Sequence, residues 1–405
     1  MKILSYKLYV VVVFFFMFGI AVFGQTPIRG QVLHAIHKTP LPYATVYINN
    51  TTQKSQADSA GYFTVYAAND SHIELVVSNI GYDVLTKPLF VNKESYHILY
   101  LSERIQEIEE IVVTAYDQNG WAKWGRYFHE NFIGLSKNAF RTKIKNTEVL
   151  RFRYNEKDKI LNVSAIEPLH IENEALGYKI TYDLVSFTAY FNQNMVQFEG
   201  SSFFEETKNN RSVIENRRTA YQNSLNRFVR SIYQKSWLKD GYVVRKLQKF
   251  PNLEKRRADS LLKTIGMSVT QKYNSSWQSY YDSQQEYSKE DVQELRKRSR
   301  EDEYFSVLSK FMREEDILME TENGHKAIRY TDYIHVLNEG IIGKENYVAQ
   351  SGGNTPHTEL IIVDVDKIMI DEYGNYAPGM QWMMSGFWGW YNKVSNLLPN
   401  DYEEF

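Results

Sequence analysis

Asp364 and Asp366 stand as paired carboxylates in Ile361-Ile362-Val363-Asp364-Val365-Asp366. Such a pair is the raw material for general acid–base chemistry or for cation binding. A strand accounts for the same letters: Ile361, Val363 and Val365 take one face and leave the aspartates on a solvated one. The turn that follows, Asp371-Glu372-Tyr373-Gly374-Asn375, lacks the register of a calcium loop. A zinc peptidase site would need a histidine and a glutamate three residues apart, so that both reach one metal from one turn. None of the nine histidines is followed by a glutamate three residues later, the order that a zinc carboxypeptidase pair takes, and no His-Glu-x-x-His occurs. His170 and His357 each precede a glutamate by two residues, a spacing without chemical meaning. There is no Gly-x-Ser-x-Gly elbow, and Gly340-Ile341-Ile342-Gly343-Lys344 lacks the spacing of a phosphate loop. No cysteine exists to serve as nucleophile, thiolate ligand, disulfide partner or lipid attachment point. Neither a catalytic residue nor a cofactor or metal site is expected.

Two clusters remain that could bind rather than react. From Lys208 to Arg257 there are fourteen Lys/Arg against three Asp/Glu. Within this stretch Tyr221, Leu225, Phe228, Val229, Ile232 and Tyr233 form a helical apolar stripe. Burying that stripe would leave Arg217, Arg218, Arg227 and Arg230 on the flanks and outer face. Gathered on one surface, they would make an anion-binding patch for an anionic envelope component or an acidic protein. Paired internally with Glu205, Glu206 or Glu215, they would be structural. The second cluster is Trp382, Phe387, Trp388, Trp390 and Tyr391, either an aromatic platform for glycan or membrane interface or, as is commoner, core.

These residues must be positioned by a chain of 405 residues, enough for two domains with sizeable cores. A net charge of −2 excludes a global nucleic-acid footprint. Aromatic residues at 15% and only nine prolines favour β-rich globular structure over disorder. Lys2 and Lys7, the apolar run Leu8 to Phe23, and Val22 and Gly24 before Gln25 form the three parts of a secretory signal peptide. The run is short against the roughly 20 residues that span a bilayer. Cleavage after residue 24 is expected, with no transmembrane helix afterwards.

Between Pro27 and Ser102 short alternating runs are separated by turn chemistry. Ala44, Val46 and Ile48 share one face, Phe63 and Val65 another, with Thr64 outward. Asp58-Ser59-Ala60-Gly61 is a turn. Ile73 to Ser78 is a more continuous apolar run, and Ile98 to Leu101 closes the set. A β-sandwich over 25–102 follows. The segments Pro40-Leu41-Pro42-Tyr43-Ala44-Thr45-Val46, Asp58-x-x-Gly61-x-Phe63 and Ser78-Asn79-Ile80-Gly81-Tyr82 resemble the carboxypeptidase-regulatory-like domain common in Bacteroidota envelope proteins. That resemblance implies a transthyretin-like seven-stranded sandwich, an accessory module without catalytic residues. Glu107 to Tyr116 resembles the approach to the plug of TonB-dependent transporters. A barrel of about 22 strands needs more residues than follow here, so a transporter is not expected.

A linker over 103–120 leads to a region over 121–405 that reads as an α+β domain. Trp121, Trp124, Phe128 and Phe132 have helical spacing. Leu150, Phe152 and Tyr154, then Tyr178, Ile180, Tyr182 and Leu184, alternate as in antiparallel sheet with one wet face, and Phe187, Ala189 and Phe191 continue on the same strand or the next. A charged, mostly helical insertion is expected near 252–320. It includes a capping box at Ser288-x-x-Asp291 and a later apolar helix face at Phe305, Leu308, Phe311 and Met312. Phe132-Ile133-Gly134, Asn146 to Leu150, Glu167-Pro168-Leu169, Leu176 to Ile180 and Leu397-Leu398-Pro399-x-Asp401-Tyr402 resemble the uncharacterised region of Bacteroidota proteins that carry the regulatory-like domain, a resemblance that implies no activity. The expected fold is multidomain: an N-terminal all-β sandwich, then an α+β domain with antiparallel sheet and a helical insertion. The expected role is noncatalytic binding or scaffolding in the periplasm or at the outer membrane. The alternative is an envelope glycan or peptide hydrolase with an unrecognised site.

Overall fold

The structure is a computed structural model and describes residues 25–69, 71–104, 116–264, 288–322 and 324–404. The signal peptide expected at 1–24 and most of the linker expected at 103–120 lie outside the described residues. So does the middle of the insertion, 265–287. The chain is multidomain, with an all-β sandwich followed by antiparallel sheets and helices.

The sandwich is built from β1 (Gln25–His34), β2 (Thr45–Ile48), β3 (Lys54–Gln56), β4 (Tyr62–Ala68), β5 (Ser71–Ser78), β6 (Leu85–Val91) and β7 (Ser95–Leu101). One sheet has the order β4-β1-β7, the other β3-β2-β5-β6. The Asp58 turn forms as its composition requires: the Asp58 carboxylate accepts from the backbone N–H of Ala60 and Tyr62, and Gly61 holds φ +79. Ile28, Val32, Phe63, Val65, Leu75, Val77 and Leu99 fill the space between the sheets. Gly30 on β1 is obligatory, because a Cβ there would enter the Phe63 ring and meet the His97 carbonyl at 2.1 Å.

Next come helix α1 (Gly120–Phe132) and the strands β8 (Thr142–Ile144), β9 (Leu150–Asn155), β10 (Ile160–Ala165), β11 (Leu169–Asn173), β12 (Tyr178–Tyr190) and β13 (Met195–Glu206). They form a six-stranded sheet in which β12 is paired with β11 and β10 along one edge and β13 along the other. A bulge between Leu184 and Ser186 leaves Val185 exposed and resets the strand parity. The inward set therefore runs Tyr178, Ile180, Tyr182, Leu184 and then Phe187 and Ala189 in one strand. Phe128 and Phe132 of α1 stack on this face, whereas Trp121, expected on the same stripe, is exposed.

A second core follows. Helices α2 (Arg211–Gln222) and α3 (Leu225–Tyr233) precede β14 (Tyr242–Pro251), helices α4 (Leu253–Thr264) and α5 (Lys289–Ser299), and β15 (Tyr304–Phe311). Short strands β16 (Leu318–Glu320) and β17 (Lys326–Ile328), then β18 (Tyr333–Asn338), helix α6 (Glu345–Gln350), β19 (Thr358–Ile362), β20 (Ile368–Ile370), β21 (Tyr376–Ala377), β22 (Trp382–Gly386) and helix α7 (Phe387–Tyr391) complete it. The sheets run β15-β14-β18-β19-β22 and β16-β17-β20-β21. The capping box at Ser288 and Asp291 starts α5. The apolar residues expected to face a later helix lie instead on or next to strand β15, where Phe305, Leu308 and Phe311 are exposed. Hydrogen bonding to β14 overrides the three-residue spacing that reads as helix.

The sandwich does not stand apart. Tyr47 on β2 is wholly buried because its face lies against β13: its ring packs 5.0 Å from Phe203, beside Val76. Its hydroxyl donates to the Asp183 carboxylate at 2.7 Å and lies 3.0 Å from the Ser201 hydroxyl. Around it Asn50 N–H donates to the Ser202 carbonyl, Ser202 N–H to the Asn49 side chain, and Phe204 N–H to the Thr51 carbonyl. The segment 399–402 straps across the same turn. Asn400 N–H donates to the Asn50 carbonyl, and the Asp401 carboxylate accepts from the backbone and hydroxyl of Thr52. On the other side the Asp371 carboxylate accepts from His72 N–H at 3.1 Å, and His325 packs between His72 and Phe90.

Two outcomes are expected from this packing. Phe63→Ala removes a buried ring from between the sheets and should cost about 3–5 kcal/mol in urea unfolding; a loss below 1 kcal/mol would place Phe63 outside the core. Burial raises the Asp183 carboxyl above its ordinary value. The unfolded chain then sheds that proton first, so this group's contribution to stability falls as pH rises from about 4 through the folded pKa. The stability difference between wild type and Asp183→Asn should therefore move against wild type across that window, and a pH-independent difference would contradict it.

Candidate functional site

Of the four arginines expected to form an anion patch, Arg217, Arg227 and Arg230 make hydrogen bonds within the fold and Arg218 stays half-exposed. Arg217 is 4% exposed: it pairs with Glu206 at 2.6 Å, donates to the carbonyls of Leu176, Gly177 and Lys208, and stacks 4.0 Å over the Tyr178 ring. Arg227 donates to the Tyr242 hydroxyl and the Asp240 carbonyl. Arg230 donates to the carbonyls of Tyr373, Asn400 and Tyr402, holding the strap that closes over the sandwich. Arg218 is half-exposed and lies 3.7 Å from the Glu404 carboxylate. Guanidinium donors satisfied by carbonyls are not available to a ligand, so the geometry gives Arg217, Arg227 and Arg230 an architectural role. The single helix expected there is two, broken at Asn223 and Ser224. Ser224 caps α3, while the Asn223 side chain exchanges hydrogen bonds with the Ile342 backbone.

The remaining sequence candidates also resolve into structure. The strand expected through Asp366 ends at Ile362, Asp364 sits in a turn at φ +60, and Asp366 pairs with Arg329 at 2.9 Å. The two aspartates thus make no shared carboxylate site. Trp382, Phe387, Trp388 and Tyr391 are core, and the indole N–H groups of Trp382, Trp388 and Trp390 donate to the Tyr330 hydroxyl, the Asn223 carbonyl and the Gln350 side chain. Among the described residues no group of three or more His, Asp or Glu is placed to hold a metal ion. A depression of about 200 Å³ between β9, β10 and β12 is lined by Arg153, Asn162, Ser164 and Thr188, without a carboxylate or a histidine.

Among the described residues, one surface that stays open and carries several aromatic rings is the outer face of the sandwich sheet β4-β1-β7. Paired residues in a sheet point the same way. Arg29 on β1 pairs with Thr64 and Tyr96, Gln31 with Tyr62 and Ile98, Pro27 with Tyr66, and Leu33 with Tyr100. The inward set of the same strands is the core already described. The outward set therefore brings Tyr62, Tyr66, Tyr96 and Tyr100 onto one surface, each between 42% and 57% exposed, with Ile98 among them. Arg29 forms an ion pair with Glu94, and the Lys38 ammonium lies 3.9 Å over the Tyr100 ring. Gln31 donates to the Ala60 carbonyl. Sequence reasoning used these strands only for their inward residues. The signal lay in the other parity: Tyr62-Phe63-Thr64-Val65-Tyr66 and Tyr96-His97-Ile98-Leu99-Tyr100 put aromatic rings where a solvated strand face normally carries charge.

Residues 28–113 match the family model described as the CarboxypepD_reg-like domain. No curated protein matches the chain. Among solved structures it is similar to a 3-chlorocatechol 1,2-dioxygenase of Rhodococcus opacus, at 12% identity over 20% of this chain and 60% of that one, TM-score 0.17. The chain thus spans less than two thirds of that enzyme. It is also similar to a protein of Bacteroides uniformis named as a candidate for carbohydrate binding, at 8% identity over 44% of this chain and 78% of that one, TM-score 0.16. A DUF3823 family protein of Bacteroides ovatus aligns at 7% identity over 45% of this chain and 82% of that one, TM-score 0.17. Overlaps at these scores carry no argument about this chain's activity.

The arginines supply a direct contrast. Arg217→Glu would set a buried carboxylate beside Glu206 and strand three carbonyls, and should cost about 3–5 kcal/mol. Arg218→Glu, at the surface, should change stability by about 0.5 kcal/mol or less. Equal effects in chemical denaturation would contradict the architectural assignment.

Proposed function

We propose that the protein is a noncatalytic binding or scaffolding component of the cell envelope, exported by its N-terminal segment and presenting the outer sheet of its sandwich to a partner. One observation carries this reading. The sheet β3-β2-β5-β6 is committed to the rest of the chain through Tyr47 and Val76, while the sheet β4-β1-β7 keeps four tyrosines in solvent. Large aromatic rings left on one flat face are costly to hydrate and are concentrated at recognition surfaces. The docked sandwich cannot turn that face inward, because its opposite side is held by the Asn49–Thr51 turn, the strap and the Asp371 turn. The apolar run at residues 8–23 with its small-residue site before Gln25 supports export, and no helix among the described residues is long and apolar enough to cross a membrane.

Purified protein from residue 25 onward is expected to sediment with isolated cell envelopes. Tyr96→Ala with Tyr100→Ala should weaken that association at least tenfold with an unchanged melting temperature. Tyr304→Ala, an exposed tyrosine on β15 in the second core, should leave it intact. Equal sedimentation of all three proteins would remove the outer sheet from consideration.

A further inference from the structure

The tyrosine surface has a chemistry of its own, and the inference drawn from it rests on the binding reading just given. We infer that the outer face of β4-β1-β7 is a binding site for a neutral glycan chain. Tyr62 and Tyr66 stand four residues apart on β4, as Tyr96 and Tyr100 do on β7, which sets each pair about 13 Å apart along the strand. The two strands flank β1, so the pairs are separated across the sheet by about two strand spacings, close to 10 Å. Rings at the corners of such a frame match a run of linked sugar rings better than a single small molecule. The surface is a sheet face and not a cleft.

Three features select the occupant. The first is the ring chemistry. The negative face of an aromatic ring attracts the polarised C–H groups on the apolar side of a pyranose, by the same quadrupole that holds Lys38 over Tyr100. The second is what lies between the rings. Thr64 and the part of the Gln31 amide not bonded to Ala60 lie on this face, polar groups of the kind that bond the hydroxyls at a sugar's rim, and the tyrosine hydroxyls add four donors and acceptors. The third is charge. Arg29 is matched by Glu94 and Lys38 is already engaged, so the surface offers no uncompensated cationic field for lipid phosphate or a polyanion. The hot spots of a protein partner sit in well-packed, fully desolvated pockets. Here the rings, with Ile98 and in part Leu33 among them, stand on an open sheet face.

The test uses the protein from residue 25 onward with isolated envelopes and with three neutral polysaccharides, dextran, mannan and laminarin, cast into native gels. At least one polysaccharide should retard wild-type protein. Retardation should fall at least tenfold in Tyr96→Ala with Tyr100→Ala and persist at about 1 M salt, where the screening length is about 3 Å. Periodate oxidation of the envelopes, which cleaves the vicinal diols of sugars, should abolish sedimentation, and protease treatment should preserve it. If no polysaccharide retards the wild type and envelope binding survives periodate but is lost in the tyrosine variant, the glycan is wrong and the binding face stands. If protease abolishes it, the occupant is a protein. Vesicles of phosphatidylglycerol that bind the wild type but not the variant would name lipid instead. If the tyrosine variant binds envelopes like the wild type, both readings fall together.

Discussion

The architecture turns on one buried contact, the Tyr47 hydroxyl against the Asp183 carboxylate. A carboxylate taken out of water is unfavourable unless its oxygens are hydrogen-bonded, and a phenol hydroxyl buried alone carries a similar penalty. Asp183 lies on β12, in the sheet that carries the first core of the second region, and Tyr47 on the sandwich. Neither side can satisfy its polar group in this way without the other. The apolar half of the contact, Phe203 and Val76 around the Tyr47 ring, makes separation unfavourable on the hydrophobic side as well. Burial drives the Tyr47 phenol far above its ordinary value, which favours the neutral hydroxyl that donates to Asp183.

Docking makes the two sheets of the sandwich unequal. In an isolated sandwich both outer faces meet water and both would be expected to alternate apolar with polar. Here β2 and β5 are apolar on both faces around Tyr47 and Val76, while β4 and β7 alternate. The docked sheet is fixed by hydrogen bonds to both later cores. The free sheet therefore has a fixed direction relative to the remainder of the chain, which a module on a flexible tether would not have.

The sandwich was legible because its strands, turns and core follow local rules: period-2 alternation, Asp58 and Gly61 at a turn, Phe63 and Val65 inward. The continuous apolar run Ile73 to Ser78 also carried the trace of docking, since a strand covered on both faces loses its alternation. What could not be read was which partner covers it, because Tyr47 and Asp183 are joined only by tertiary structure. The arginines' partners could not be chosen for the same reason. A guanidinium in sequence announces a charge, and nothing local says that Arg217 and Arg230 will meet backbone carbonyls from distant segments. The spacing of Phe305, Leu308 and Phe311 reads as helix until β14 is seen to pair with it. The bulge at Val185 hides a change of parity inside one strand. The tyrosine face is present in the letters as the opposite parity of the same alternation, a pattern that by itself marks only a solvated strand face.

The strap has a bearing on how the chain reaches this state. Asp401 closes on Thr52 across 349 residues, and Asn400 is held at once by Asn50 and Arg230. Contacts of such long range form late, after the loop they close has been ordered by other means. The sandwich, whose own pairings are local, can complete its core as soon as it has been made. Its seat is on β13, made about a hundred residues later than the last sandwich strand, and the strap adds its hydrogen bonds from farther still. A chain made only as far as the sandwich has nothing to cover Tyr47 and Val76. Such a chain carries an apolar face opposite to the one that the finished molecule displays, and covering that face is a separate physical requirement from folding either half.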